Sequence, residues 1–461
     1  MIHANNYVFP SAKEILTYNT SWSTENFKPY ADVILNLFDR FKIDCEISGH
    51  IQSPTLTRFF LEPKGKTKVD SIIRLENDFR VSLNSNGVSV HIEEGKLVID
   101  VPRKNKHMVF FGDLAISEAF QNAPKTAVAL GMDIQSNVIV YDLRKAVHML
   151  IAGQTGSGKS VLMHNIVASL LMKNAPRDLH MYIVDPKVLE FSRYAPLPQC
   201  TVTSNERDAE KILNYLCIEM DRRYQVLAAS CSRDIDSYNE KNIDNPMRRE
   251  IVIIDELADL MKKCGKTAET SIARLAQKAR ACGIHLIIAT QYPVRDVVTG
   301  VIKQNIPTRI CLSVTSSVAS KVALDVTGGE DLLGNGDMLF LSNGALKPIR
   351  LQGGYISELT LDRLIEFLLD NNIPKAPIVE AETKRTLPDR VLNHGEEKYM
   401  VSGIFAIMFG LLGILLWPFS LMGIVVAVTG LESNEQEVWP LIVGLILCIA
   451  PYVIRFLPFL I

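Results

Sequence analysis

The sequence predicts an α/β fold built on a parallel sheet, and three observations support this prediction. An apolar segment, 148–152, leads into a glycine-rich loop and then into an apolar helix over 160–173. Four consecutive β-branched residues, 251–254, end in an acidic pair, and strands buried on both faces of a parallel sheet show such runs. Two more apolar segments, 180–185 and 284–291, suit neighbouring strands of the same sheet.

The loop after the first strand has the phosphate-binding spacing Gly153-x-x-x-x-Gly158-Lys159-Ser160. Glycines let successive backbone N–H groups turn towards phosphate oxygens, and the following helix directs its positive end at the anion. In such loops the lysine reaches the β- and γ-phosphates and the hydroxyl is a magnesium ligand. The predicted ATP-binding residues are Gly153, Gln154, Thr155, Gly156, Ser157, Gly158, Lys159, Ser160 and Val161.

The acidic pair after the β-branched strand predicts the other half of the site. The carboxyl ends of parallel strands form the ligand-binding edge of such sheets. We expect Asp255 to hold Mg²⁺ together with Ser160, directly or through water, and Glu256 to act as the general base on the attacking water. The alternative is a strand that merely ends in a solvated acidic turn.

A third strand end contributes a further candidate. Gln291 follows the segment 284–290, where a polar side chain could contact the γ-phosphate or the water; the alternative is an ordinary strand-end amide. We therefore predict Lys159, Glu256 and Gln291 as the catalytic residues. A strand inserted between the loop strand and the acid strand is typical of RecA-like ATPases rather than of simple kinases, so the predicted core is a RecA-like P-loop ATPase.

Longer motifs extend over the stretches 131–160, 184–190, 219–224, 254–261, 274–291, 305–309 and 333–338. These motifs resemble the FtsK/SpoIIIE-type translocase motors. Their order and spacing hold over about residues 125–355, and residues 26–110 resemble the small α/β domain that precedes the motor in that family. The resemblance implies a ring, usually a homo-hexamer, with ATP sites between subunits and double-stranded DNA in the central pore.

The resemblance also implies an arginine supplied across the subunit interface. Lys321 stands where relatives tend to have an arginine, and the alternative for each candidate is a solvated helix residue. The candidates are Arg274, Arg280 and Lys321.

DNA contacts of the pore are expected in the segment 295–309, which carries three basic residues. The chain departs from the family pattern at Gln154, where a small residue is usual, and at Tyr292, where relatives often have arginine. After residue 358 a short helix, 359–371, and a proline-containing linker follow, without a recognisable winged-helix module of the kind that reads orienting DNA sequences.

Composition limits the remaining possibilities. A chain of 461 residues suggests two or three domains, and a formal net charge of −2 excludes a global basic field for nucleic acid. The eight cysteines form no Cys-x-x-Cys pair, which suggests neither zinc nor a disulfide framework and favours a reducing compartment. We interpret His148, His180 and His285, which lie at strand edges, as structural.

The C-terminal region predicts a transmembrane helical hairpin. Residues 399–431 contain no charge in 33 positions, and residues 438–461 contain only Arg455. About 20 apolar residues cross a bilayer. Trp417 and Pro418 interrupt the first stretch, which is either one kinked span or a re-entrant pair. The connector, 432–437, has three acids and no basic residue, so we expect it to face outward from a cell inner membrane, with the ATPase domain in the cytoplasm.

The predicted organisation has five parts, and the expected function is that of a membrane-anchored ring ATPase that moves double-stranded DNA. The alternatives are a related secretion or coupling ATPase that moves protein, and a membrane scaffold that uses ATP only to assemble. The parts are a variable lead (1–25), a small α/β domain (26–110), the motor (111–358), a helix with linker (359–398) and two transmembrane helices (399–461).

Overall fold

The structure is a computed structural model that describes residues 7–372 except 20, 86 and 189. The described chain forms a four-stranded sheet followed by a ten-stranded sheet. The predicted transmembrane hairpin, 399–461, and most of the predicted linker lie outside the described residues. Within the described part, no helix is both long and apolar enough to span a membrane.

The small domain is a four-stranded antiparallel sheet, ordered β1-β2-β4-β3, with helices packed on one face. Helix α2 places Tyr30, Ile34, Leu37 and Phe38 on one stripe, as a helix that buries one face requires. These side chains share a buried core with Phe59 and other apolar residues of the sheet. The elements are α1 (Ala12–Ile15), which precedes the domain, α2 (Lys28–Arg40), β1 (Cys45–Gln52), β2 (Leu56–Pro63), α3 (Val69–Ile73), α4 (Glu76–Ser82), β3 (Ser89–Glu93) and β4 (Lys96–Pro102).

The large domain, residues 111–372, contains the ten-stranded mixed sheet and the helices on its two faces. Its strands are β5 (Ala127–Asp133), β6 (Val138–Asp142), β7 (Met149–Ala152), β8 (Leu179–Val184), β9 (Cys200–Thr203), β10 (Arg249–Ile254), β11 (Ile284–Thr290), β12 (Thr308–Leu312), β13 (Asp337–Leu341) and β14 (Ile349–Gly353). Its helices are α5 (Phe111–Ala115), α6 (Glu118–Gln121), α7 (Leu143–Ala146), α8 (Lys159–Leu171), α9 (Glu206–Ala229), α10 (Ile235–Lys241), α11 (Leu257–Lys278), α12 (Gly300–Asn305), α13 (Ser317–Leu324) and α14 (Glu358–Asn372).

The strand order of the large sheet is β6-β5-β14-β13-β12-β7-β11-β10-β8-β9. The six strands from β12 to β9 are parallel, and the four from β13 to β6 pair antiparallel. In the sheet, β11 lies between the loop strand β7 and the acid strand β10, whereas β8, which falls between the two motifs in the sequence, lies on the far side of β10. The mixed α/β core expected from the apolar runs is therefore present, and the strands predicted at 180–185, 251–254 and 284–291 lie within two residues of their structural bounds.

The N-terminal lead belongs to the core of the large domain rather than standing apart from it. Ala12 and Ile15 of α1, with Leu16, are buried in the same apolar cluster as Phe111 of α5 and Leu361 of α14. No pattern in the sequence predicts this packing, because a single helical turn is too short to show an amphipathic period.

A buried ion network joins the two domains. The Arg58 guanidinium donates to both carboxylate oxygens of Asp100 at 2.6 and 2.8 Å. Arg350 of β14 donates to both oxygens of Asp337 at 3.0 and 2.7 Å, and its Nη1 lies 3.5 Å from Asp100. Burial alone would raise the pKa of Asp100, but the hydrogen bonds and charge of Arg58, with the charge of Arg350, hold it below its usual value. Asp100 thus holds one cation from each domain.

Three histidines of the large sheet are buried as neutral rings, in agreement with a structural role. His148 Nδ1 accepts from the Leu286 amide at 3.0 Å, and His285 Nδ1 donates to the Val147 carbonyl at 2.9 Å. Burial is the main cause that lowers the pKa of His148 and of His180 to about 3 and that of His285 to about 4.

These shifts predict that the protein loses stability in mild acid. The pKa of an unfolded histidine is about 6.5, so the stabilising contribution is complete above that value and is lost as the pH falls towards the folded-state values. Each of the three histidines should lower the free energy of unfolding by about 1.4 kcal/mol per pH unit below pH 6.5. Urea unfolding at a series of pH values between 7.5 and 5 measures this slope.

The matched variant is His285→Asn, whose amide can replace the Nδ1 donor without titrating. Its unfolding free energy should depend less steeply on pH than that of the natural chain, by about one histidine's share. An unchanged slope would show that folding does not lower the pKa of His285.

Candidate functional site

The phosphate loop connects β7 to α8 and is shaped by close packing at its glycines. A Cβ on Gly153 would lie 2.6 Å from Ser157 Oγ and 2.9 Å from Leu312, which leaves no room for a side chain. Gly158 caps α8 with φ of 99°, and a Cβ there would meet the Gly336 amide nitrogen at 2.6 Å. The loop can therefore present its backbone N–H groups towards an anion only with glycine at both positions.

Lys159 and Asp255 form a buried ion pair at the carboxyl ends of the strands. Lys159 Nζ donates to Asp255 Oδ1 at 2.6 Å and to the Asp255 carbonyl at 2.7 Å. Both side chains are at most 3% exposed. Each charge is thus compensated within the protein, which a buried charge requires. The structure brings the predicted phosphate lysine and the predicted metal ligand together.

Glu256 is fixed beside this pair by the neighbouring strand. Its Oε1 accepts from the Thr290 hydroxyl at 2.7 Å, and its Oε2 accepts from the Gln291 amide at 3.0 Å. The same carboxylate caps α11 by accepting from the Ala258 amide. A buried carboxylate held by donors on both oxygens has a fixed orientation, which suits a group that must align a water molecule.

Gln291 contacts the phosphate loop directly. Thr155 Oγ1 donates to Gln291 Oε1 at 3.0 Å. This contact places Gln291 between Glu256 and the phosphate loop, and all three predicted catalytic residues surround the same space. Their roles in catalysis remain predictions.

The two departures from the family pattern have different surroundings. Gln154 is anchored to the loop after β12 by two hydrogen bonds to Ser313. Its backbone N–H donates to the Ser313 carbonyl at 2.9 Å, and its side-chain Nε2 donates to the Ser313 hydroxyl at 3.2 Å. Tyr292 projects from the end of β11 and is 64% exposed. Gln154 is thus held by contacts within the protein, whereas Tyr292 alters the surface next to Gln291.

The residues present fit a nucleotide-bound magnesium ion. Ser157 Oγ is buried within the loop and has no hydrogen-bond partner among the described residues. This hydroxyl can therefore form a hydrogen bond with a bound ligand. In the described chain no group of three or more His, Cys, Asp or Glu side chains could hold a metal ion by itself. Mg²⁺ is usually held by one or two protein ligands, water and substrate phosphates. Ser160 and Asp255 would be those ligands.

Sequence reasoning assigned no role to Glu190, which lies near the first turn of α8. His164 Nε2 is 3.7 Å from its carboxylate. The proximity of His164 lowers the pKa of Glu190 against the effect of burial, and Ser160 and Lys159 add to this. The available signal was its place after β8, a strand that ends at the same sheet edge as the acidic pair.

The loop 333–336 was also missed as part of the site. The Gly336 amide donates to the Ser157 carbonyl at 2.8 Å, and the Leu333 amide donates to Asp337 at 2.8 Å. The sequence marked residues 333–338 as a resembling stretch, but only the fold shows that they contact the phosphate loop.

The basic candidates for interface and pore differ in their surroundings. Arg274 is paired with Asp221 of α9 at 2.6 Å, while Arg280 and Lys321 are exposed. In the segment 295–309, both later basic residues are paired with Asp325, whereas Arg295 is exposed. The pairs are Lys303 with Asp325 and Arg309 with Asp325.

Two family models match the chain. Residues 10–103 match the FtsK alpha domain, and residues 113–294 match the FtsK/SpoIIIE family. The chain belongs to the FtsK/SpoIIIE family. The resemblance inferred from the motifs is thereby confirmed, and the two FtsK-type matches fall on the small domain and on the part of the large domain that carries the site.

Similar proteins agree with this assignment. DNA translocase SftA of Bacillus subtilis is 40% identical over 393 residues, which are 82% of this chain and 41% of that protein. DNA translocase FtsK of Clostridium acetobutylicum is 42% identical over 348 residues, 73% of this chain and 46% of that protein. This chain therefore spans less than half the length of these two relatives.

A solved structure has a similar fold. The pCW3 conjugation coupling protein TcpA, in its monomer form with ATPγS, superposes with a TM-score of 0.53 at 26% identity. The match covers 74% of this chain and 99% of that chain.

Proposed function

We propose that this chain is a RecA-like ATPase that couples ATP hydrolysis to the movement of double-stranded DNA. The observation that carries the proposal is the position of Glu256, which is buried and held by Thr290 and Gln291 directly beside the Lys159–Asp255 pair. The membership of the FtsK/SpoIIIE family and the names of its relatives, which are DNA translocases, support DNA as the cargo.

Each residue of the site has a separate role in binding or hydrolysis of the nucleotide. Lys159 exchanges its contact with Asp255 for the phosphates, which frees the Asp255 carboxylate to serve with Ser160 as a metal ligand. Bound Mg²⁺ would neutralise charge on the phosphate oxygens. Glu256 accepts a proton from the attacking water, and Gln291, which already contacts Thr155 of the loop, orients that water or the γ-phosphate.

Two substitutions separate binding from hydrolysis. Lys159→Ala should abolish ATP binding, because it removes the cation of the phosphate loop. Glu256→Gln should bind ATP with near-natural affinity but hydrolyse it slowly, by a factor of about 10² or more, because it removes the general base and keeps the shape. Equilibrium binding of ATP and steady-state phosphate release measure the two effects.

The control is Glu240→Gln, an exposed acid of α10 that lies outside the site. It should leave both binding and turnover unchanged. A Glu256→Gln protein that hydrolyses ATP at the natural rate would contradict the assignment of the base.

DNA binding should depend on backbone contacts rather than on base sequence. The formal net charge is near zero, so the contacts must come from few basic side chains, of which exposed Arg295 is one. Neutralising each phosphate releases counterions, so the affinity should fall steeply with salt. We expect weak binding that is indifferent to sequence and declines between about 50 and 200 mM salt, measured by fluorescence anisotropy on residues 1–395.

Measuring the affinity for several duplexes of different sequence tests the predicted indifference to base sequence. A flat salt response, or ATP turnover that duplex DNA does not stimulate, would favour a protein cargo instead.

We also propose that the chain works as a homo-hexameric ring anchored in the cell inner membrane by residues 399–461. The proposal rests on the family resemblance for the ring and on the charge-free run 399–431 for the anchor. Deletion of residues 399–461 should give an ATPase that no longer sediments with membranes. A cysteine placed in the connector 432–437 should react with a membrane-impermeant reagent from outside intact cells.

The accessibility of the connector to this reagent distinguishes one kinked span from a re-entrant pair in the first apolar stretch. Two full spans return the chain to its starting side and expose the connector. Labelling only after lysis would instead support a re-entrant hairpin around Pro418.

A further inference from the structure

Glu190 is a carboxylate next to the first turn of α8 to which the proposed reaction assigns no role. Its side chain is 42% exposed, and its Oε2 lies 3.7 Å from His164 Nε2. Ser160 and His164 are four residues apart on α8, so they lie on the same face of that helix. A carboxylate beside His164 therefore also lies beside Ser160, the predicted magnesium ligand.

The loop after β8 holds Glu190 in this position. Asp185, which is 1% exposed, accepts hydrogen bonds from four backbone amides of the loop, two at each carboxylate oxygen. The amides of Glu190 and Phe191 donate to its Oδ2 at 3.1 and 3.0 Å. Val188, in the same loop, has φ of 60°, a conformation that is costly for a β-branched residue and persists only where its surroundings enforce it. The loop is thus held in one shape, which places Glu190 beside α8.

The buried side chain of Tyr194 orients His164 towards Glu190. Tyr194 Oη lies 2.8 Å from His164 Nδ1. Burial raises the pKa of Tyr194, so its hydroxyl stays protonated and can donate to Nδ1. A neutral imidazole that accepts at Nδ1 carries its proton at Nε2, which is the nitrogen next to the Glu190 carboxylate. The histidine thus offers Glu190 a donor and supports its ionised form.

The hydroxyl of Ser160 needs an acceptor when it binds a metal ion, because a hydroxyl that ligates a cation through its oxygen keeps its proton. Glu190 is within reach: after His164, a hydrogen bond from Ser160 also lowers the pKa of this carboxylate. Asp255 is engaged elsewhere, with Lys159 in the described structure and with the metal ion in the proposed reaction. An outer partner of this kind fixes the orientation of a metal ligand and raises its basicity.

We propose that Glu190 is a positioning residue for Mg²⁺, which accepts the proton of the Ser160 hydroxyl in a hydrogen bond and so directs the Ser160 oxygen at the metal ion of the bound nucleotide. The inference rests on the proposed ATPase function and deepens it, because it adds the loop after β8 to the magnesium site. His164 and Tyr194 hold Glu190 in place for this contact.

The first experiment measures the affinity of the full chain for ATP in excess Mg²⁺ and in EDTA. The ratio of the two affinities reports the contribution of the metal ion. Glu190→Ala should reduce this ratio by about tenfold or more, which is the usual effect of losing the outer partner of a metal ligand. Its affinity in EDTA should not fall, because the substitution removes a negative charge near the phosphates. A loss of affinity in both conditions at an unchanged ratio would mean damage to the loop and would contradict the inference.

Two further variants sharpen this measurement. Glu190→Gln keeps a side-chain oxygen that can accept the Ser160 proton, so it should restore part of the ratio that Glu190→Ala loses. Glu240→Ala removes an exposed acid of α10 and should leave the ratio at its natural value.

A double-mutant cycle with Ser160→Ala tests whether Glu190 acts through Ser160. Ser160→Ala should itself lower the ratio, and the addition of Glu190→Ala should lower it little further. If Glu190→Ala reduced the ratio by the same factor with and without the Ser160 hydroxyl, Glu190 would act on the metal ion independently and the inference would be wrong.

The outcomes separate this inference from the proposed function. A natural chain that bound no ATP in either condition would overturn both. If the natural chain bound ATP more tightly with Mg²⁺ and Glu190→Ala had the same ratio, only the role of Glu190 would be wrong, and the ATPase proposal would stand.

Discussion

The parallel register of β7, β11 and β10 is the constraint on which the site depends. Ile254 pairs with Ile288, so Glu256 stands level with Thr290 two residues further on, and the two side chains hydrogen bond. Ala152 pairs with Thr290, which brings the start of the phosphate loop to the same edge. A shift of one residue would turn every side chain to the other face of the sheet and separate these groups. The apolar strands that determine the register therefore also determine the relative positions of the site residues.

The register places a cation and an anion together in a site from which water is largely excluded. Removing either partner of a buried pair leaves an uncompensated charge, at a cost of about 3–5 kcal/mol. Lys159 and Asp255 satisfy each other in the described structure, and the phosphates and metal ion of a nucleotide offer each of them a new partner of opposite charge. The two charges are thus compensated before a nucleotide binds, and each side chain can form a new contact when it binds. Glu256 has separate donors, so its position does not depend on this exchange.

The sequence predicted the parts of the structure whose signals are local. The β-branched run 251–254, the loop spacing and the apolar segment 284–291 each report their own conformation, and parallel packing makes their carboxyl ends meet. Contacts between distant segments have no such signal. The packing of α1 against α14, the Gly336–Ser157 contact and the Arg350–Asp100 contact each join residues far apart in the chain. Glu190 is an intermediate case: its place after β8 puts it at the ligand-binding edge of the sheet, but its approach to α8 follows only from the fold.

The buried network between the domains opposes displacement of one domain against the other. Asp100 is fully buried, and its charge is shared between Arg58 of its own domain and Arg350 of the large domain. Sliding one domain over the other would separate Asp100 from Arg350, and opening of Asp337 would also release the Leu333 amide at the start of the loop 333–336. Such a displacement exposes or isolates buried charges, which is costly. The loop 333–336 is joined to the phosphate loop by the Gly336–Ser157 contact and to the ion network by the contact of the Leu333 amide with Asp337.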